Sequence, residues 1–270
     1  MSAAEGRDFW DGAVSMTKAA RKLHAAADIT SPYAAARLDI TVFVPCHDAE
    51  AGIVQTLETV VEAMGVVGNS YEILVIDDAS KDRSVELVRG FMAAHEGLNI
   101  VMRTNKTCKG LACNYVDGAF MGCGSYYRMV DGEAAEPVET IVDIFRAIGD
   151  ADIIVPYYIS RLGQGRLRPL SSRLFTGLVN RVSGNRINCY TGAQVHLRYN
   201  VMRWHSDILG AAFSMDLLCR LLAQGFTYKQ VPCRADMRHG VGGGMRNALS
   251  FAHALLNIAL RRVARLVQAR

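Results

Sequence analysis

Short apolar runs that each end in polar residues, separated by helical stretches, constrain this chain more than any other feature. Ile40-Thr-Val-Phe-Val-Pro45 is β-branched and aromatic, and it reads as a buried strand that stops at a proline. Tyr71-Glu-Ile-Leu-Val-Ile76 repeats the pattern, and residues 99–102 and 126–130 give two more strands. Between them, residues 51–64 carry Ile53, Leu57, Val60, Val61 and Met64 at helical spacing, while residues 84–95 and 109–121 also read as helices. Strands alternating with helices predict an α/β fold: a mostly parallel central sheet with helices on both faces. The 270 residues, half of them apolar and 21% charged, suffice for one such domain with appendages.

The second half is less regular. Residues 137–148 read as a helix, 152–158 as a strand, 170–182 and 213–222 as helices and 228–232 as a strand, with a basic glycine-containing loop at 163–168 and a glycine tract at 240–244. Residues 1–38 form an N-terminal helical extension, with a helix at 13–27 that Ser31-Pro32 ends, because a residue before proline avoids the helical region. Residues 246–270 form a basic amphipathic C-terminal helix.

Composition narrows the function. The net charge of +4 is too small to argue for nucleic acid, and it suits an anionic substrate or an anionic membrane surface. Seven cysteines, with no CxxC pair and no zinc-ligand spacing, read as reduced and mostly buried thiols of a cytoplasmic protein. Residues 1–10 lack the basic and apolar stretches of a signal peptide, and no run approaches the ~20 apolar residues of a spanning helix.

In sheets of this kind, ligands bind beyond the carboxyl ends of the strands. That rule selects residues 45–50, 77–82, 104–110 and 131–133, all polar. Asp131-Gly132-Glu133 offers two carboxylates one residue apart, a donor set for Mg²⁺ or Mn²⁺ shared with substrate phosphates, or else an acidic surface turn. Asp77-Asp78 offers acceptors for a base or ribose, or a cap for the helix that follows, and Asp48 and Glu50 carry the same two readings.

Taken together, these elements resemble a known family. Val44-Pro45-Cys46-His47-Asp48-Ala49-Glu50 resembles the proline, aromatic, Asn-Glu-Glu opening of family-two glycosyltransferases of the GT-A fold. Val75-Ile76-Asp77-Asp78-Ala79-Ser80-Lys81-Asp82 is similar to their Val-Asp-Asp-Gly-Ser-x-Asp element. Residues 105–110, with Asn114 and Gly118, resemble the Asn/Lys-Gly segment, and Asp131-Gly132-Glu133 falls where the family has Asp-x-Asp. Beyond these, residues 168–194, Phe213-Ser-Met-Asp216 and Arg238-His239-Gly240-Val241-Gly242 resemble dolichol-phosphate mannose synthase-like members. The sequence departs from the pattern at His47-Asp48, Glu133, Asn188, Gln194 and Gly242-Gly243-Gly244.

The resemblance implies inverting transfer of a sugar from a UDP- or GDP-sugar to a polyprenyl phosphate, a glycan or a small-molecule hydroxyl. Residues 39–245 form the catalytic domain, with a nucleotide-binding half at 39–135 and an acceptor half at 136–245. Pro45, His47, Asp48, Glu50, Asp77, Asp78, Lys109 and Gly110 are the donor-binding candidates. Asp131 and Glu133 hold the metal, Mg²⁺ or Mn²⁺. Arg238 and Arg246 contact phosphates, with Arg161, Arg166 and Arg168 as loop candidates. Asp216 is the general base if the acceptor is a hydroxyl; its other reading is an acid at a helix start. The C-terminal helix lies on an anionic membrane or packs on the domain or a second subunit. Two other readings stand beside transfer: a nucleotidyltransferase, which would want a glycine-rich loop that residues 45–50 lack, and an inactive sugar-nucleotide-binding protein that kept the fold.

Overall fold

A computed structural model describes residues 38–134, 136–161, 168–190, 192–208, 210–235 and 245–268. The helix expected at 13–27, the loop at 163–167, the glycine tract, Arg166, Arg238 and the side chains of Arg161, Arg168 and Arg246 lie outside the described residues.

The first half follows the expected alternation. β1 (Ile40–Cys46) leads to α1 (Ile53–Val67), β2 (Tyr71–Asp77), α2 (Ser84–Ala94), β3 (Ile100–Thr104), α3 (Leu111–Met121) and β4 (Tyr126–Met129). Then come α4 (Val138–Arg146), β5 (Ile153–Arg161), α5 (Arg168–Ser183), β6 (Val195–Leu197), α6 (Arg198–Trp204), α7 (Phe213–Ala223), β7 (Tyr228–Ala235) and α8 (Met245–Gln268). The strands form one seven-stranded sheet in the order β3-β2-β1-β4-β6-β5-β7. Only β6 runs against its neighbours, β4 on one side and β5 on the other. All other pairings are parallel, so the carboxyl ends of β1 to β5 and β7 reach one edge of the sheet.

Both faces are covered, as a two-sided apolar strand requires. On one face, Val42, Val44, Ile73 and Val75 pack with Ile53, Leu57 and Val60 of α1 and Ile141 and Phe145 of α4. On the other, Phe43, Leu74, Ile76 and Tyr127 pack with Tyr115 of α3, Phe213 and Leu217 of α7 and Ile258 of α8. This alternation of consecutive residues between two cores fixes the register of the strands. β6 and α6 were not expected from the sequence. Three residues are too few to show a period of two, and β6 exists because it fills the gap between β4 and β5.

α8 packs on the domain, one of the readings the sequence left open. Its aliphatic side does not face the domain: Leu249, Leu256, Leu260, Val263, Leu266 and Val267 are each more than half exposed. Three of its arginines bond to the domain instead. Arg261 binds the Asp216 carboxylate, Arg262 donates to the carbonyl oxygens of Arg181 and Val182, and Arg265 donates to that of Ala223. Ala254 and Ile258 complete the seam. No described helix is long and apolar enough to cross a membrane.

Candidate active site

The loops after β1 and β2 bind each other. The Asp48 N–H donates to Ser80 Oγ at 3.0 Å, and Asp48 Oδ1 accepts from the Lys81 N–H at 2.7 Å. The Ala49 and Glu50 N–H groups donate to Ser84 Oγ and Asp82 Oδ2, while Glu50 Oε2 accepts from the Arg83 N–H at 3.1 Å. The His47 ring donates through Nδ1 to the Asp78 carbonyl at 2.9 Å, leaving Nε2 4.0 Å from Asp48 Oδ2. The capping reading does not hold for Asp48 and Glu50: α1, the helix that follows them, has no side-chain cap, and their carboxylates accept instead from N–H groups of the loop after β2, while Asp48 stays about half exposed. Burial pushes the neighbouring Cys46 thiol up to about 11, which keeps it protonated and out of any nucleophilic role.

Asp77 and Asp78 divide their work. Asp77 is fully buried; its Oδ1 accepts from the Ser80 N–H at 3.3 Å, and its Oδ2 has no hydrogen-bond partner. Asp78 is taken up by the β3–α3 loop. Its carboxylate accepts from the N–H groups of Lys109 and Gly110, each at 2.8 Å, from Asn105 Nδ2 at 3.0 Å and from the Cys108 thiol at 3.1 Å. Burial raises its pKa, but the hydrogen bonds outweigh that and hold the carboxyl well below the usual range. Asp78 thus shapes the loop; Gly110, at φ +88°, adopts a backbone that only glycine takes without strain. Lys109 spends its ammonium on Asp117, 2.9 Å away.

The Asp131-Gly132-Glu133 turn is pinned from below. Thr56 of α1, buried, donates its hydroxyl to the Asp131 carbonyl at 3.1 Å and accepts from the Ala134 N–H at 2.9 Å. A side chain at Gly132 would come within 2.5 Å of the Pro45 carbonyl oxygen, and one at Gly52 within 2.9 Å of the Glu133 backbone. The turn therefore lies flat on the end of β1, with the Asp131 and Glu133 residues at the exposed surface and the Glu133 N–H 3.3 Å from Asp131 Oδ1. Among the described residues, those other than glycine with positive φ are Asp48, Ala79 and Ala134. They follow β1, β2 and β4, three neighbouring strands, and such strain gathers where a fold holds a functional surface.

This donor set fits a hard divalent cation: two exposed oxygen ligands on a fixed turn, open to substrate phosphates. Among the described residues no group of three His, Cys, Asp or Glu side chains converges, so phosphate and water oxygens would fill the remaining positions.

Comparison with known proteins agrees with this geometry. Residues 41–203 match glycosyl transferase family 2. The chain belongs to that family. It is 24% identical over 151 residues to an undecaprenyl-phosphate 4-deoxy-4-formamido-L-arabinose transferase of Edwardsiella ictaluri, covering 56% of this chain and 46% of that protein. It is 28% identical over 116 residues to dolichol-phosphate mannosyltransferase of Saccharomyces cerevisiae, 42% of each. The chain thus spans about half the length of the curated relatives it matches. Among solved structures, mannosyl-3-phosphoglycerate synthase from Rubrobacter xylanophilus aligns with a TM-score of 0.64 at 14% identity, over 86% of this chain and 75% of its own. A mannosyltransferase from Pyrobaculum calidifontis, in complex with GDP-Man and Mn²⁺, aligns with a TM-score of 0.60 at 17% identity, over 84% and 65%. The family-two chain shares their GT-A fold.

The acceptor half of this family-two chain holds the remaining candidate acid, Asp216. Asp216 does start α7, but it is fully buried. Its Oδ2 accepts from Ser206 Oγ at 2.8 Å and lies 3.6 Å from Arg220, and its Oδ1 is bound by Arg261. The carboxylate thereby joins α8 to the domain.

A cavity of about 600 Å³ opens by the carboxyl end of β5, on the same edge of the sheet as the donor loops. Tyr157, Arg173, Thr176, Asn180 and Asn188 line it. Sequence reasoning also missed Thr56, which holds the acidic turn, and the buried Arg128–Glu136 ion pair beside it. The signals were a threonine on the apolar side of α1 and an arginine inside the run read as a buried strand.

Proposed function

We propose that this chain catalyses inverting transfer of a sugar from a nucleotide-sugar donor to a phosphate-bearing lipid acceptor, assisted by Mg²⁺ or Mn²⁺. The observation that carries the reading is the pinned Asp131-Gly132-Glu133 turn at the edge of the sheet, beside the β1 and β2 loops. In the proposal, Asp48 meets the nucleoside through its half-exposed carboxylate, and the buried Asp77 shapes the loop beside it by accepting from the Ser80 N–H. The Asp78 knot holds Lys109 and Gly110 in a fixed loop against which the donor packs. Asp131 and Glu133 hold the cation, which neutralises charge on the departing diphosphate. The relatives named for polyprenyl-phosphate substrates and the neighbour solved with GDP-Man and Mn²⁺ support the same classes of donor, metal and acceptor.

The acceptor follows from Asp216. A hydroxyl must lose a proton to become a nucleophile, so it calls for a base. A phosphate oxygen is already anionic and calls for none. With Asp216 enclosed, the phosphate acceptor is the better match. Arg173 and Tyr157 in the cavity offer it a cation and a hydroxyl. Exposed Leu174 and Leu178 of α5, next to Arg173, and Leu256 and Leu260 of α8 give a lipid-borne acceptor an apolar approach. In the proposal the protein is cytoplasmic, and its peripheral contact with a membrane runs through these aliphatic side chains rather than through arginines. A homodimer through the same face is the competing use of that surface.

The test is turnover of a panel of UDP- and GDP-sugars with a short-chain polyprenyl phosphate, with and without Mn²⁺. Asp131→Ala and Glu133→Ala should each abolish turnover while circular dichroism and thermal unfolding stay as in the wild type. Full activity in both variants would overturn the metal assignment, and no turnover by the wild type with any donor would overturn the enzyme reading.

A further inference from the structure

A buried ion pair brackets the Asp131-Gly132-Glu133 turn. Arg128 stands three residues before Asp131, on β4, and Glu136 three residues after Glu133, just ahead of α4. The Arg128 side chain has no exposure and that of Glu136 only 7%. Nη2 of Arg128 lies 2.7 Å from both Glu136 oxygens. The Tyr158 hydroxyl on β5 donates to Glu136 Oε1 at 3.0 Å, and Arg128 Nε donates to the Ala193 carbonyl at 3.3 Å. The guanidinium also lies over the Phe145 ring, and its Nη1 is buried with no hydrogen-bond partner.

We propose that Arg128 and Glu136 are positioning residues for the Asp131 and Glu133 carboxylates. The idea rests on the metal reading given above. Two arguments carry it. The chain leaves β4, makes the acidic turn and returns to α4, and the pair ties the two ends of that excursion together at its base. Thr56 pins the middle, so the turn is held at three places and its carboxylates are presented from a fixed backbone. Burial supplies the second argument. A buried ion pair is a costly way to join two elements, and well-packed apolar residues often join them at least as stably. Leaving Arg128 Nη1 without a partner adds to that cost. What an apolar pair does not supply is a directional bond that fixes the distance between the ends of the turn. Groups that orient metal ligands from behind typically change metal affinity by ~10–100-fold when removed.

The test separates positioning from stability. In the triple variant Arg128→Met, Glu136→Met, Tyr158→Phe, the pair and the hydroxyl that serves it are replaced by apolar side chains, leaving no orphaned charge. Thermal unfolding checks the fold, and Mn²⁺ binding is measured by electron paramagnetic resonance in the presence of UDP and, separately, GDP. The expected result is a folded protein with Mn²⁺ affinity reduced at least about tenfold. Should the triple variant fail to fold, Arg128→Lys serves in its place: it keeps the charge, shortens the reach, and is expected to weaken Mn²⁺ binding in a folded protein. Mn²⁺ affinity equal to wild type in whichever variant folds overturns the proposal and leaves the metal reading standing. Absence of Mn²⁺ binding by the wild type with either nucleotide overturns both.

Discussion

Asn at position 216 distinguishes a structural carboxylate from a catalytic one. Asp216→Asn keeps the shape and the Ser206 contact but removes the charge that faces Arg261 and Arg220. Breaking a fully buried pair costs about 3–5 kcal/mol. Here the arginine side chains are 29% and 20% exposed, and Arg220 also has Asp207 3.3 Å away, so water and a second acid recover part of the loss. About 2–3 kcal/mol remains. At about 2–4 °C per kcal/mol for a domain near this size, the melting temperature should fall by about 5–10 °C. The double variant Asp216→Asn, Arg261→Met should regain much of the loss, because the guanidinium left unpaired is gone. The catalytic expectation is opposite in kind. A general base contributes ~10²–10⁴-fold to turnover. The enclosed geometry predicts that donor turnover, measured well below the unfolding transition, stays within a few-fold of wild type. Urea unfolding followed by circular dichroism gives the stability, and release of nucleoside diphosphate gives the turnover. Unchanged stability together with turnover lost by ~10²-fold or more would refute the reasoning and return Asp216 to the role of base.

Other predictions follow from the same geometry. Thr56→Val removes both hydrogen bonds to the acidic turn and leaves the Ala134 N–H unsatisfied, a cost of about 2 kcal/mol in urea unfolding, and turnover should need more Mn²⁺ to saturate. His196, 1% exposed with neither ring nitrogen hydrogen-bonded, is pushed down to about 3 by burial. It is neutral in the folded protein while the unfolded chain takes a proton below about 6.5, so its contribution is complete above that pH and is lost on descending toward 3. At pH 5 the loss is about 2 kcal/mol, and His196→Leu should flatten the stability profile between pH 6.5 and 5, as read by urea unfolding. Asp78, held below the usual carboxylate range, stabilises the fold above its unfolded pKa of about 4 and loses that contribution as the pH falls below it. Asp78→Asn should therefore be less stable than wild type at neutral pH, with a shallower acid limb below pH 4.

The strands of the donor half were legible because each is an unbroken apolar run buried on both faces, and the polar residues that stop each run are the ones that build the site. β1 and β2 run one residue beyond the expected strands because Cys46 and Asp77 still pair across the ladder. The site was legible as a set of loops and much less so as a set of roles. Asp78 and Asp48 look alike in sequence, yet one is surrounded by the N–H groups of a loop some thirty residues away and the other faces solvent. Asp216 carries the right motif, but the arginine that takes it up lies forty-five residues on, in a helix whose pattern left its docking face open. Periodicity locates an apolar stripe; it does not say whether the stripe meets a core that Ala254 and Ile258 already fill. Arg128 and Glu136 went unread because only the turn between them brings an arginine of a strand and a glutamate ahead of a helix together.

The single sheet has a mechanical consequence. β6, three residues long and antiparallel, welds β4 to β5, so the strands that carry the acidic turn and the strand that borders the cavity are hydrogen-bonded into one plate. Two lobes joined by a linker can swing shut over a substrate; two halves of one plate cannot, because opening or closing them would shear a hydrogen-bonded ladder. Any movement between the acidic turn and the cavity must then fall to segments outside the ladder, and the spacing between the two is set by the twist of the plate.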